Sequence, residues 1–307
     1  MASFVVRRLF LLIPVLLGVV TLVFILIHLI PGDPVDIMLG ETASVSDKES
    51  LKRELRLDQP IGRQYLEFLT GLAKGDLGRS IHSHRPVLSL LLARYPNTIE
   101  LALFSMLVAA TIAFPLGIFS ALKQYSIVDS FSMFFALLGV ALPNFWLGPL
   151  LILFFSVELN LFPVSGKEGL LDFVLPGITL GLGMSAILTR MIRSSLLEVK
   201  NREFILCARA KGLKERVVTV KHALRNALIP VVTVLGLQFG ALLAGSIITE
   251  SIFSWPGIGR LTIQAINSRD YPLVQGCVLL IALSYVFINL GTDLLYGWVD
   301  PRIKYHK

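Results

Sequence analysis

Ten lysines and arginines lie between Arg190 and Arg225, and inside that run stands Ala208-Arg209-Ala210-Lys211-Gly212-Leu213, small side chains interleaved with cations. Residues of these types at this spacing suit contact with another protein: the cations stay hydrated, and the small side chains let a neighbouring surface approach. Bond-making chemistry has weaker candidates. His82 and His84 are two metal-ligand types in one loop, but no third ligand stands near them, and a solvated pair is the expectation. Cys207 and Cys277 share neither metal-type spacing nor a disulfide framework. The chain has no Gly-x-x-x-x-Gly-Lys-Ser/Thr loop, no His-Glu-x-x-His, no pair of aspartates within an apolar run and no Ser/His couple. An enzyme is not expected, nor is a cofactor or metal bound by this chain.

The elements that must position the basic segment are apolar. Hydrophobic residues make up 54% of the 307 and charged residues only 16%, with a mean hydropathy of +0.74. That composition belongs to an integral membrane protein. The net charge of +7 sits in short connections beside apolar runs, which sets orientation and does not point to nucleic acid. Runs long enough to cross a bilayer cover about 9–30, 101–122, 131–157, 174–197, 229–248 and 274–295. The expected fold is all-α, a polytopic membrane protein of six transmembrane helices in one transmembrane domain, 1–307. No small-residue cleavage pattern follows the first run, so it is read as a retained span.

Cations orient the chain. With cytoplasmic termini, the inner segments hold Arg7, Arg8, Lys123, the ten cations of the basic run, Arg302, Lys304 and Lys307. The short outer loops hold Lys167, Arg260 and Arg269, and the nine cations of the long first loop are balanced by nine acids. Residues 31–99 then form an external subdomain and 198–228 a cytoplasmic loop. Within the subdomain, Ser46 and Glu49 read as a capping box, and Pro60 opens an amphipathic helix. The stretch Glu250 to Pro272 is read as external, with a turn at Trp255-Pro-Gly257 and with Phe253 and Trp255 suited to the membrane interface.

Inside the spans, Pro115 and Pro143 predict kinks. Asn144, Gly236, Gln238 and Gly240 are candidates for lining a passage or packing helices, and Gly177 with Gly181 repeats the small-xxx-small spacing. Arg190 and Arg193 are expected to snorkel to lipid headgroups. In the cytoplasmic loop, Glu203 to Lys211 reads as a short helix stopped by Gly212. Leu213, Val217, Val220 and Leu224 then recur at helical spacing as the apolar stripe of a second. A bare basic connection would carry no such pattern. A gradient-driven secondary transporter would need internal repeats and midplane ion-binding residues, neither of which the sequence displays.

Ala208-Arg-Ala-Lys-Gly-Leu213 followed by His222-Ala-Leu-Arg-Asn-Ala-Leu-Ile-Pro230 resembles the cytoplasmic coupling loop of bacterial ABC importer permeases of the peptide and nickel group. The likeness extends through Arg7-Arg-Leu9, Pro31-Gly-Asp-Pro34, Gly75-Asp-Leu-Gly78, Glu250-Ser-Ile-Phe-Ser-Trp-Pro-Gly-Ile-Gly259, Arg269-Asp-Tyr-Pro272 and Asp300-Pro-Arg-Ile303. It is strongest to the permease subunit of dipeptide, oligopeptide and glutathione systems. Leu206, Cys207 and Ala208 stand where the wider superfamily has Glu-Ala-Ala, so a role for that glutamate does not carry over. The resemblance implies a bacterial inner-membrane permease that imports peptides, with glutathione or nickel chelates as alternatives. It implies a second homologous permease subunit, two ATP-binding cassette ATPase subunits that hold ATP and Mg, and an external solute-binding protein, periplasmic or lipid-anchored. Ala208, Arg209, Ala210, Lys211, Gly212 and Leu213 would be the helix and turn seated in an ATPase cleft.

Overall fold

A computed structural model describes residues 2–29, 35, 44–54 and 58–299. The sequence motifs Pro31 to Pro34 and Asp300 to Ile303 lie outside the described residues. The described chain is helical between turns, with one isolated antiparallel bridge, Arg79 to Pro86. Four helical stretches are long and apolar enough to span a membrane: Val87–Leu122, Leu170–Lys200, Glu215–Leu243 and Tyr271–Leu295. A bent pair, Ile127–Ala141 with Asn144–Glu158, makes up to five, and Phe10–Ile25 is a shorter apolar stretch.

Two compact units divide the chain. One comprises Val6–Thr98 and Pro256–Leu283, the other chiefly Ile99–Trp255 and the stretch from Ser284 onward.

In the first unit, α1 (Ala2–Leu29) and α3 (Ile61–Ala73) meet through aromatic rings. Phe24 lies 5.2 Å from the Tyr65 ring and 5.9 Å from Phe68, and the hydroxyls of Thr21 and Tyr65 share a hydrogen bond. Between them comes α2 (Val45–Glu54). Its cap is Ser44 and not the expected Ser46: Asp47 N donates to Ser44 Oγ at 3.2 Å, and Ser46 is already helical.

The start of α4 (Val87–Leu122), α11 (Ile258–Asn267) and the start of α12 (Tyr271–Val299) share a second cluster, built on Val87, Leu91, Ile258, Ala265, Leu273 and Cys277. The polar residues Asn97 and Thr98, which interrupt the apolar pattern, do not end α4. They tie it to a turn: Asn97 Nδ2 donates to Pro256 O at 2.7 Å, and Ile258 N donates to Thr98 Oγ1 at 2.8 Å.

Asp270 fastens the loop after α3. Its carboxylate is 1% exposed and accepts from Ser80 Oγ, from Ile81 N at 3.2 Å and from Leu273 N at 3.3 Å. Gly78 has φ +78° in the turn leading to Ser80, which explains glycine there. Asp270→Ala is expected to destabilise this unit by about 2–3 kcal/mol, because it strands two buried donors. Hydrogen exchange at the Ile81 and Leu273 amides reads the effect, and unchanged protection in the variant would refute it.

The second unit is built around α7 (Val174–Lys200), which packs on α5 (Ile127–Ala141) and on α9 (Arg225–Gly245). Close approach is written in glycine. A Cβ on Gly181 would fall 2.9 Å from Ser105 O of α4, and one on Gly139 of α5 would fall 2.9 Å from Leu182 O.

The third apolar run breaks sharply at the expected proline. α5 and α6 (Asn144–Leu151) meet at 101° across Leu142-Pro143. Leu142 precedes a proline and is held extended at ψ 112°, Pro143 follows at ψ 141°, and α6 restarts from there. α6 then loosens into a π-helical turn, Ile152–Glu158.

Trp255 and Phe253 are not interfacial anchors; they are 0% and 2% exposed. Trp255 packs with Leu101, Leu180 and Phe173, whose ring lies 4.6 Å away. Lys167 Nζ stands 5.6 Å from the indole centroid and pairs with Glu100. The short α10 (Ile247–Ile252) holds the turn: Trp255 N donates to Glu250 O at 2.8 Å, and Glu250, itself fully buried, accepts from Ser246 Oγ.

Candidate functional site

The basic loop folds as expected up to Gly212 and differently beyond it. α8 (Glu203–Ala210) ends as Gly212 adopts φ +75°, with Gly212 N donating to Arg209 O at 2.9 Å and Lys211 N to Cys207 O at 3.1 Å. Among the described residues, no neighbouring group lies within 4 Å of where a Gly212 Cβ would be. Its glycine is explained within the chain by backbone conformation.

Ala208 faces inward. Ile205 and Ala208 pack against Ala121 at the end of α4, Leu196 near the end of α7, and Val218, Ala223 and Ala227 on the way into α9. The small side chain of Ala208 therefore brings α8 close to its own membrane helices. Arg209 makes a two-point ion pair with Glu215 across the turn, at 2.7 and 3.3 Å, while Ala210, Lys211, Gly212 and Leu213 are exposed. That pair is solvent-exposed and contributes little stability.

The expected apolar stripe of the second helix points the wrong way. Val217 and Val220 are 38% and 57% exposed, and Leu213 is 40% exposed, whereas Val218, Ala223 and Ala227 are buried. The cause is a π-helical turn over Val218–Leu224, which widens the repeat to five residues between Val218 and Ala223 and rotates the small side chains inward. Phe204, Leu206, Leu213, Val217 and Val220 are left exposed among Lys211, Lys214, Arg216 and Lys221. An apolar surface rimmed by cations is suited to a protein contact.

Arg193 does not snorkel. Its Nε and Nη2 donate to the two carboxylate oxygens of Asp129, each at 2.7 Å. Asp129 also accepts from Ser120 Oγ of α4 and from Tyr125 N at 3.0 Å, so four donors from three segments meet on one carboxylate. α5, α4 and α7 are joined there, on the helix that runs into α8. Asp129 was not singled out from the sequence, although Ser126-Ile-Val-Asp129 carries the signal: Ser126 caps α5, and an acid falls in its first turn.

Of the candidates inside the spans, the glycines and the amides separate. Gly236 and Gly240 lie against α12, with a Cβ on Gly236 falling 2.2 Å from Thr292 Oγ1 and one on Gly240 falling 3.3 Å from Tyr285. Asn144 and Gln238 both line a cavity of about 220 Å³, walled by Leu180, Gly183 and Met184 of α7 and by Ala241 of α9.

A family model described as the binding-protein-dependent transport system inner membrane component matches residues 113–305. A second, described as the N-terminal part of such a membrane component, matches residues 1–102. The chain belongs to this family. It is a multi-pass inner-membrane transport component, and its relatives are permeases. It is 43% identical to the dipeptide transport system permease protein DppB of Escherichia coli K12, over 100% of both chains. It is also 43% identical to the glutathione transport system permease protein GsiC of Pectobacterium atrosepticum, over 99% of this chain and 100% of that one. Among solved structures, an inward-facing MetNI methionine ABC transporter aligns at TM-score 0.58 and 20% identity, covering 69% of this chain and 96% of that chain. An amino acid ABC transporter aligns at TM-score 0.52 and 16% identity, covering 70% and 95%. The structural likenesses establish the fold.

Proposed function

We propose that this chain is the permease subunit of an ATP-driven, binding-protein-dependent importer of dipeptides or oligopeptides. Full-length similarity to a dipeptide permease, 43% identical from end to end, carries the reading. In the proposed assembly the chain crosses the membrane six times with both termini cytoplasmic. It forms the passage with a second homologous permease. Two ATPase subunits bind ATP and Mg, and an external solute-binding protein delivers the peptide.

The coupling element is α8 with its Gly212 turn. Support comes from the exposed apolar and cationic surface around Ala208 to Leu213, together with the packing of Ile205 and Ala208 on the ends of three membrane helices. Shifting a two-state transporter from 1:99 to 99:1 takes about 5.5 kcal/mol of differential interaction. Burying about 200 Å² of apolar surface is worth about 5 kcal/mol, so one docked helix and its flanking side chains have the right magnitude. Leu206 and Cys207 occupy positions where the wider superfamily has Glu-Ala, so the contact here is more apolar.

Proteoliposomes test the reading. With the partner permease, ATPases and binding protein present, labelled dipeptide should accumulate on ATP addition and fail to accumulate without the binding protein. Accumulation by this chain alone on a proton gradient would overturn it. The similarity to a glutathione permease favours one competing substrate, and competition by unlabelled glutathione measures its share.

A further inference from the structure

The cavity bounded by Asn144 and Gln238 lies at the break between α5 and α6, where Pro143 ends one helix and α6 begins the next. Non-helical backbone in a membrane-spanning run is tolerated where it lines a cavity, and broken helices recur at transport sites. Among the described residues, no charged side chain lines the space. Its polar groups are the two carboxamides, and neither makes a hydrogen bond to another described residue. Unlike Asn97 and Asn226, whose amides are committed to backbone carbonyls, Asn144 and Gln238 have donors and acceptors to offer.

A carboxamide presents one carbonyl acceptor and two N–H donors. That is the complement of a peptide bond, which has one N–H and one carbonyl whatever its side chains. The remaining wall is apolar and adaptable: Leu180 and Met184 accept side chains of different shape, and Gly183 and Ala241 leave room for them. A volume of about 220 Å³ is below the ~300–1,000 Å³ that encloses a whole small ligand. It accommodates one peptide unit with its neighbouring side chain, and the rest of the substrate stays outside. With no charge in the wall, neither the amino nor the carboxyl terminus of a peptide is read there.

We propose that this cavity is a transit site that holds one peptide unit of the substrate by its main chain, through Asn144 and Gln238, without regard to sequence. The inference rests on the peptide-importer reading.

The test uses the complete transporter in proteoliposomes at saturating loaded binding protein. Asn144→Leu and Gln238→Leu should each slow uptake of a dipeptide about three- to tenfold, the equivalent of one hydrogen bond. The factor should be the same for alanine-, leucine- and lysine-containing dipeptides. For an ester analogue that lacks the main-chain N–H, the Asn144→Leu and Gln238→Leu effects should together be smaller than for the dipeptide, because one partner is already missing. Ala241→Leu, which fills the space without touching the amides, should slow the dipeptide and the ester equally. Wild-type rates in both amide variants would overturn the proposal, as would an equal loss for dipeptide and ester, which packing damage would produce. If the unaltered transporter moves no peptide, the importer reading itself has failed.

Discussion

Arg193→Ala should lower the stability of the second unit by about 3 kcal/mol, the usual cost of leaving one partner of a buried pair alone. The Asp129 carboxylate is 6% exposed and the Arg193 side chain 23% exposed, so the orphaned carboxylate has little water to turn to. Asp129→Ala should cost a similar amount, because it also releases Ser120 Oγ and Tyr125 N. Combining Asp129→Ala with Arg193→Ala should cost less than the sum of the single changes, since no uncompensated charge remains. Denaturation of the detergent-solubilised transporter, followed by protease protection of the α5–α7 contact, measures all three variants. A single variant as stable as the parent would show that the pair does not hold α5 on α7.

Gly212→Val should cut ATP-driven uptake more than tenfold, while Gly212→Asn should stay within about threefold of the parent. At φ +75° a β-branched residue is strained, whereas asparagine tolerates the left-handed region. Open space in front of Gly212 among the described residues argues against crowding within them as the cause. Under the proposed coupling role, the strained variant should hydrolyse ATP with little uptake, because the exposed turn no longer presents Leu213 and Lys211 together with α8. Uptake and hydrolysis measured in the same vesicles separate coupling from folding. An uptake loss in Gly212→Asn as large as in Gly212→Val, with hydrolysis retained, would mean that the turn serves close contact with a partner, not backbone conformation.

These two sites differ in how visible they are before folding. Gly212 follows a good helix-former and announces a helix stop, so the end of α8 was legible from local chemistry alone. Asp129 and Arg193 stand 64 residues apart, and no local pattern joins them; each alone reads as an ordinary charge at the edge of an apolar run. The same limit explains Trp255. An aromatic residue beside Pro-Gly in a membrane protein suits an interface, yet Phe173, Leu101 and Leu180 close over it. The stripe from Leu213 to Leu224 does not face inward as expected, because helical spacing assumes one repeat throughout. A π-helical turn at Val218 changes the phase within a single turn.

By itself the sequence determined the membrane class, the apolar runs, the basic loop and the helix stop at Gly212, because hydropathy, charge and backbone preference act over neighbouring residues. Only the tertiary structure decided that Ala208 serves its own chain, that Arg193 is paired and that α5 and α6 part at 101°. It also brought Asn144 and Gln238 to one cavity while turning Gly236 toward Thr292. Those outcomes depend on which surfaces meet across tens of residues, and that is settled by packing and by the pairing of buried polar groups.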